Sequence, residues 1–328
     1  MDSNRLLEIL RITVPVFIMM GIGNLLSRTG KMTEEHQSFL NWLVYYICLP
    51  VLIFTGLVGQ PFRSLFNTDL IFGTLLALLA VFLIFAIGTF LFRVDGKFAV
   101  VMIYSAYWAN VAYMGFPLSA SAFGEKGLTD AAIVNAISMP VFVVIAFFMI
   151  SFYSEKRPNS FLTPLKDALV NPIILASVIG LIAAFIADAF LLSEESRVLS
   201  PAITNTFAIS KSILEMTGTM GLPLALIAVG GKLRFRSLGK NKTELFLVVF
   251  GKLILLPLLT LIIIRTLFPS AQKEVTGAAV LLMATPAAVA ASIVTAKFRL
   301  NDQFTSSVLA VSTVFSVITI PFWLYIVL

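Results

Sequence analysis

The chain has 328 residues, 59% of them hydrophobic and only 12% charged, with a mean hydropathy of +0.99. Globular domains carry roughly 25% charged residues, so a water-soluble fold is excluded and an all-α integral membrane protein is expected. The net charge of +6 comes from basic residues scattered over short connections; it reports topology and implies the lipid bilayer, not nucleic acid, as the surrounding partner.

A membrane-crossing helix needs about 20 apolar residues, and ten stretches qualify in chain order. Span 1, Leu6–Ser27, holds Glu8 and Arg11 near its start. Ser27-Arg28-Thr29-Gly30 offers no small-residue cleavage site, so this stretch is read as the first helix and not as a secretory leader. Span 2, Gln37–Phe62, contains Pro50 and the sole cysteine, Cys48. One cysteine excludes an intramolecular disulfide and a metal site built on several thiolates, so its role is packing. Span 3, Leu70–Phe92, is uninterrupted, whereas span 4, Phe98–Phe123, is broken by Asn110, Gly115 and Pro117. Span 5, Ala131–Ser154, precedes a polar linker over residues 154–167. Spans 6 to 8 are Ala168–Ala187, Ser212–Gly231 with Glu215 and Pro223, and Leu245–Leu267 with Lys252 and Arg265. Span 9, Val275–Ala296, is broken at Thr285-Pro286-Ala287, and span 10 is Gln303–Leu328.

Basic residues flanking these spans assign the faces. The connections after spans 1, 3, 5, 7 and 9 hold fourteen Lys and Arg residues, five of them in Lys232–Lys242, and the opposite side holds eight. The richer side is therefore cytoplasmic, and both ends of the chain lie outside it in a multi-pass protein of the cell membrane. The halves read as repeats. Cys48-Leu49-Pro50 stands against Gly221-Leu222-Pro223 at an offset of 173, span 3 against span 8 at 175, and Asn110 against Pro286 at 176. The expected division is residues 1–153, the linker 154–167, and residues 168–328. Five spans per repeat is an odd number, so the second copy enters the membrane inverted. Paired interrupted segments at matching places in two inverted halves point to the binding site of a secondary transporter.

A proline inside a membrane helix removes a donor and collides with the preceding turn, and the freed backbone groups must find partners in hydrocarbon. Two such helices crossing at their breaks would bring four half-helix ends together, the N-terminal ones suited to an anion. Asn110 and Tyr113 supply directed polar groups there. Ala284, Thr285, Ala287 and Ala288 keep the other break narrow enough for a close approach. The competing reading is a pair of proline kinks that only shape packing.

The run Ala109-Asn110-Val111-Ala112-Tyr113-Met114-Gly115-Phe116-Pro117-Leu118 resembles the Asn-containing Gly-x-Pro-Leu signature of the auxin efflux carrier family. Asn171-Pro172-Ile173-Ile174, Gly221-Leu222-Pro223-Leu224-Ala225-Leu226 with Gly230, Thr285-Pro286-Ala287, Ser312-Thr313 and Pro321 extend that resemblance over essentially the whole chain. The long central cytoplasmic loop of many plant members is missing, which matches a compact bacterial-type form. The resemblance, which reaches the fold of the bile acid/sodium symporters, implies a carrier of small organic anions: an auxin-like acid, or carboxylates such as malonate and malate. It implies a scaffold of spans 1, 2, 6 and 7, dimerisation through that scaffold, and a mobile unit of spans 3–5 and 8–10 working as an elevator. Carried over residue by residue, it places substrate against Asn110, Tyr113, Met114, Gly115, Thr285, Pro286, Ala287 and Ala288, with Pro50 and Pro223 on the facing scaffold wall. No cofactor is implied.

Other intramembrane polar residues leave alternatives open. Lys252 either neutralises an anionic substrate or snorkels to the headgroups. Glu215, four residues after Lys211, is either half of an interfacial ion pair or a proton-coupling carboxylate. Asn24, Asn41 and Asn135 are read as interhelical hydrogen-bond donors, Asp188 as interfacial. An enzyme is not expected: His36 is the sole histidine and stands in a connection, a zinc site needs more ligands, and no HExxH, GxSxG or phosphate-binding glycine loop occurs. The readings from different classes are a secondary carrier and a non-transporting membrane sensor that binds a small ligand at the same crossing. A channel is weaker, because no ring of repeated charges is visible.

Overall fold

The computed structural model describes residues 3–153, 170–191, 201–233, 241–289, 291, 295 and 300–328. The described chain runs through α1 (Ser3–Arg28), α2 (Glu34–Val58), α3 (Thr68–Leu91), α4 (Gly96–Tyr107), α5 (Phe116–Tyr153), α6 (Pro172–Leu191), α7 (Pro201–Lys232), α8 (Lys242–Leu267), α9 (Lys273–Ala284) and α10 (Asp302–Val327). Eight helical stretches among these residues are long and apolar enough to cross a membrane, against ten expected spans. The difference falls at the two broken places. Spans 4 and 5 adjoin as one stretch, but Gly124, with a non-helical φ of 62° and ψ of −148°, separates two helices within it, a conformation that suits a residue without a Cβ. In span 9 the first helix ends at Ala284, so α9 is 12 residues long, and much of the rest of the span lies outside the described residues. The linker 154–167, residues 234–240 of the most basic connection, and residues 290, 292–294 and 296–299 of span 9 and its exit lie outside the described residues.

Local chemistry sets the helix ends. The Asn67, Asp95 and Asn301 side chains accept from the N–H groups of Leu70, Phe98 and Phe304, capping α3, α4 and α10. His36 is not a free loop group. It sits in the first turn of α2 and closes a reciprocal capping box with Thr33. Asn171-Pro172 opens α6 in the same manner: Asn171 Oδ1 accepts from Ile173 N–H at 2.9 Å, and proline follows where no intrahelical donor is needed.

Three described helical stretches widen into a π turn, and each widening ends two residues before a proline. The turns are Val44–Cys48 before Pro50, Val111–Gly115 before Pro117, and Gly251–Leu255 before Pro257. In each, the residue preceding the proline donates five residues back: Leu49 to Val44, Phe116 to Val111, and Leu256 to Gly251. A proline ring collides with the carbonyl four residues earlier. One extra residue in the turn moves that carbonyl aside and lets the helix continue.

Helix α1 packs most extensively against α7, and α2 against α6 and α7; α8 packs against α3 and α9, and α9 against α5 and α10. Contacts between helix ends sort onto two sides. On one, Asn24 Nδ2 donates to the Leu233 carbonyl at 3.1 Å, Asn171 Nδ2 to Tyr45 Oη at 2.6 Å, and the Phe98 and Phe304 rings meet edge to face. On the other, Phe62 N–H donates to Asp188 at 2.9 Å, Thr129 Oγ1 to the Gly56 carbonyl at 3.0 Å, and Lys273 to the Leu328 carbonyl. Asn24 thus makes the interhelical bond expected of it, whereas Asn41 Nδ2 turns back on its own helix to the Gln37 carbonyl at 2.6 Å. The outward faces of α1, α3, α6 and α10 expose Leu, Ile, Val and Phe, as lipid contact requires.

Candidate functional site

The two breaks meet. Helix α4 ends at Tyr107, and the next three residues run extended beside the segment that follows α9. Ala109 and Ala287 form an isolated antiparallel bridge. Asn110 N–H donates to the Pro286 carbonyl at 2.9 Å, and Ala288 N–H donates to the Trp108 carbonyl at 3.0 Å. Each break thereby satisfies backbone groups that the other has freed, which is the condition for irregular backbone inside a membrane protein. Alanine at the paired positions keeps the two chains close.

Further bonds lock the crossing. The Asn110 carbonyl accepts from the N–H groups of Met114 and Gly115, both at 3.1 Å, and so starts the π turn. Thr285 Oγ1 bonds the Leu282 carbonyl at 2.7 Å, closing the end of α9. Ala287 N–H donates to Ser312 Oγ at 3.2 Å. Sequence reasoning gave Ser312 no such role; the available signal was a small hydroxyl in an apolar helix. Ser312→Ala strands that buried N–H, at about 1–3 kcal/mol. The expected result is a lower thermal midpoint in detergent with the helical spectrum kept; an unchanged midpoint would mean the N–H finds another acceptor.

Seven buried side-chain atoms among the described residues have no hydrogen-bond partner, those of Tyr104, Ser105, Ser119 and Asn135 among them, and one is at the crossing itself. Asn110 is 3% exposed, and its Nδ2 has no hydrogen-bond partner among the described residues. Buried polar groups without a partner are uncommon and mark a strained place or a site for a missing ligand or water. The N–H groups opening the π turn at Val111–Tyr113 lie beside it, and the first donors of a helix have no intrahelical acceptor. Tyr113 is half-buried and packs, with buried Met114, on the apolar cluster that includes Val16 and Met20 of α1 and Leu226 and Val229 of α7. Gly115 lets Leu282 of α9 close over the turn. Thr285, Pro286, Ala287 and Ala288 are all buried. The structure thus brings the expected residues of both breaks together, while Pro50 and Pro223 are half-buried on α2 and α7. The π turn touches α7 as well as α9.

Lys252, in the π turn of α8, is fully buried. Its Nζ donates to the Met283 carbonyl at 2.7 Å, so its stem runs inward to α9 and not to the headgroups. Glu215 stands apart, exposed and 3.6 Å from Lys211. A cavity of about 280 Å³ lies elsewhere, lined by Phe123, Lys126, Asp130, Lys273 and Glu274 with the end of α10. It lies at the start of α9, whereas the crossing lies at that helix's end, 12 residues on.

Comparison with known proteins decides the family. The model of the family described as "Membrane transport protein" matches residues 9–324. The chain belongs to this auxin efflux carrier-like transport family. It is a multi-pass membrane protein of a transport family. A protein of Rhizobium meliloti (strain 1021) named "Putative malonate transporter" is 25% identical over 324 residues, covering 98% of this chain and 96% of that one. An "Uncharacterized transporter" of Methanothermobacter thermautotrophicus is 25% identical over 312 residues, 94% and 95% of the two chains. "Uncharacterized transporter YfdV" of Escherichia coli (strain K12) is 24% identical over 325 residues, 95% and 96% of the two chains.

Proposed function

We propose that this chain is a secondary carrier of small organic anions, with the carboxylate bound where the broken spans 4 and 9 cross. The observation that carries the reading is the unpartnered Asn110 amide, buried beside the N-terminal end of the π turn at a backbone crossing. Donors and a positive half-helix end in one place suit an anion. A relative named for malonate makes small dicarboxylates the first class to test.

The same reading extends to architecture. Ten spans in two inverted sets of five explain why the ends of α1 and α7 share a side with the starts of α2 and α6. Helices α1, α2, α6 and α7, which pack on one another, form a scaffold with Pro50 and Pro223 on its wall. Spans 3–5 and 8–10 carry the crossing and move against that scaffold as an elevator. The scaffold pairs two copies into a homodimer. The protein sits in the cell membrane with both ends outside the cytoplasm.

Counterflow tests this against a sensor. Purified protein in liposomes preloaded with malonate is expected to accumulate labelled malonate transiently, with saturation. Binding without counterflow would sink the carrier reading and leave a sensor.

A further inference from the structure

We infer that Lys252 is a positioning residue that gives the crossing its positive sign and so selects anions over uncharged molecules of the same shape; this rests on the carrier reading above. Among the described residues, three helix ends meet at the crossing: the C-terminal ends of α4 and α9 and the N-terminal end of the π turn that opens at Val111. Helix ends carry partial charges of about −0.5 at the C-terminus and +0.5 at the N-terminus. The described backbone of the crossing therefore has local donors but no net positive charge.

Lys252 changes that balance. Its Nζ bonds Met283, the residue before Ala284 at the end of α9, so the charge that this proposal assigns to the amine stands against one of the two negative ends. No carboxylate lies within ion-pair distance of it among the described residues. An ammonium has three donors, and a single carbonyl is a thin environment for a buried ion, whose burial costs several kcal/mol. Ionisable groups inside a membrane at such cost mark functional sites. The lysine is also held in place. Its π turn precedes Pro257, and Trp323 Nε1 of α10 donates to the neighbouring Leu253 carbonyl at 2.8 Å. The ammonium is bonded to α9 four residues before the bridged Ala287, and in this proposal it acts on the site through the field and through the end of α9, not by touching substrate. In a low-dielectric interior that field carries over several ångströms.

The experiment compares charged and uncharged ligands in three forms of the full-length chain: wild type, Lys252→Gln and Lys252→Met. Glutamine keeps a donor for the Met283 carbonyl and loses the charge; methionine loses both. Probes are malonate, malate, acetate and indole-3-acetate, each beside its uncharged amide, with binding read by thermal shift and transport by counterflow. Wild type is expected to bind at least one carboxylate tenfold or more tightly than its amide. Both variants are expected to bring that ratio below about threefold, mainly by weakening the carboxylate. A Lys252→Gln protein that keeps the wild-type ratio would show that the bond and not the charge matters, and would overturn the inference. So would a wild type that binds amide and acid equally. If malonate is carried and Asn110→Ala stops it while the ratio in Lys252→Gln is unchanged, this inference falls and the carrier reading stands. If wild type binds no carboxylate of the panel, both fall together.

Discussion

Asn110→Ala is expected to weaken carboxylate binding by about ten- to hundredfold while the unliganded protein melts at or slightly above the wild-type temperature. The two halves of this expectation have one cause. A hydrogen bond to a charged group contributes about 1.5–3 kcal/mol, and each 1.4 kcal/mol is about a factor of ten in affinity. In the empty protein the Asn110 amide donates to nothing among the described residues. Removing an unsatisfied buried donor relieves a penalty and breaks no bond. The backbone N–H and carbonyl of residue 110, which do hold the crossing, survive the substitution. A packing residue would show the opposite pattern, with binding and stability falling together. The check is thermal unfolding with and without malonate, in parent and variant. A ligand-free midpoint several degrees lower would make Asn110 structural and remove the main support for the site.

Much of this arrangement is legible in the sequence, for definite physical reasons. Asn110, Pro117 and Pro286 interrupt apolar runs where a membrane helix has no use for them, so the breaks announce themselves. Asn171-Pro172 reads as a helix start because capping and a missing donor each have one suitable position there. The pairing itself is silent. Ala109 and Ala287 carry no chemical label, and their bridge is made by backbone. The partner of Lys252 is a main-chain carbonyl, which no side-chain pattern could mark. The π turns are invisible to helical periodicity, though a proline two residues on accompanies each one here. Ten apolar runs are countable, whereas eight helical stretches among the described residues are long and apolar enough to cross a membrane. Hydropathy registers a span whether or not its helix is continuous, and it does not place the kink at Gly124 that separates spans 4 and 5.

The second large effect lies in the packing of α1 on α7. Gly230→Val is expected to abolish recovery of folded protein, whereas Gly21→Ala on the facing helix changes nothing. A Cβ at position 230 would fall on the Met20 carbonyl oxygen, and one at Gly23 on the Ile227 carbonyl. Both obstacles are backbone, so no rotamer change relieves them. At Gly21 a Cβ meets nothing within 4 Å. Overpacking a core costs about 1–3 kcal/mol when side chains can give way, and here the helices themselves must separate. Separation would break the Asn24 bond to the Leu233 carbonyl and lose the close van der Waals contact that drives helix association in lipid, where the hydrophobic effect offers little. Size-exclusion profiles in mild detergent decide it: aggregate for Gly230→Val, a parent-like peak for Gly21→Ala. A parent-like peak for Gly230→Val would mean that α1 and α7 slide apart at small cost. A rigid scaffold could not then include that pair, and the moving parts of the carrier would have to be sought at the α1–α7 seam.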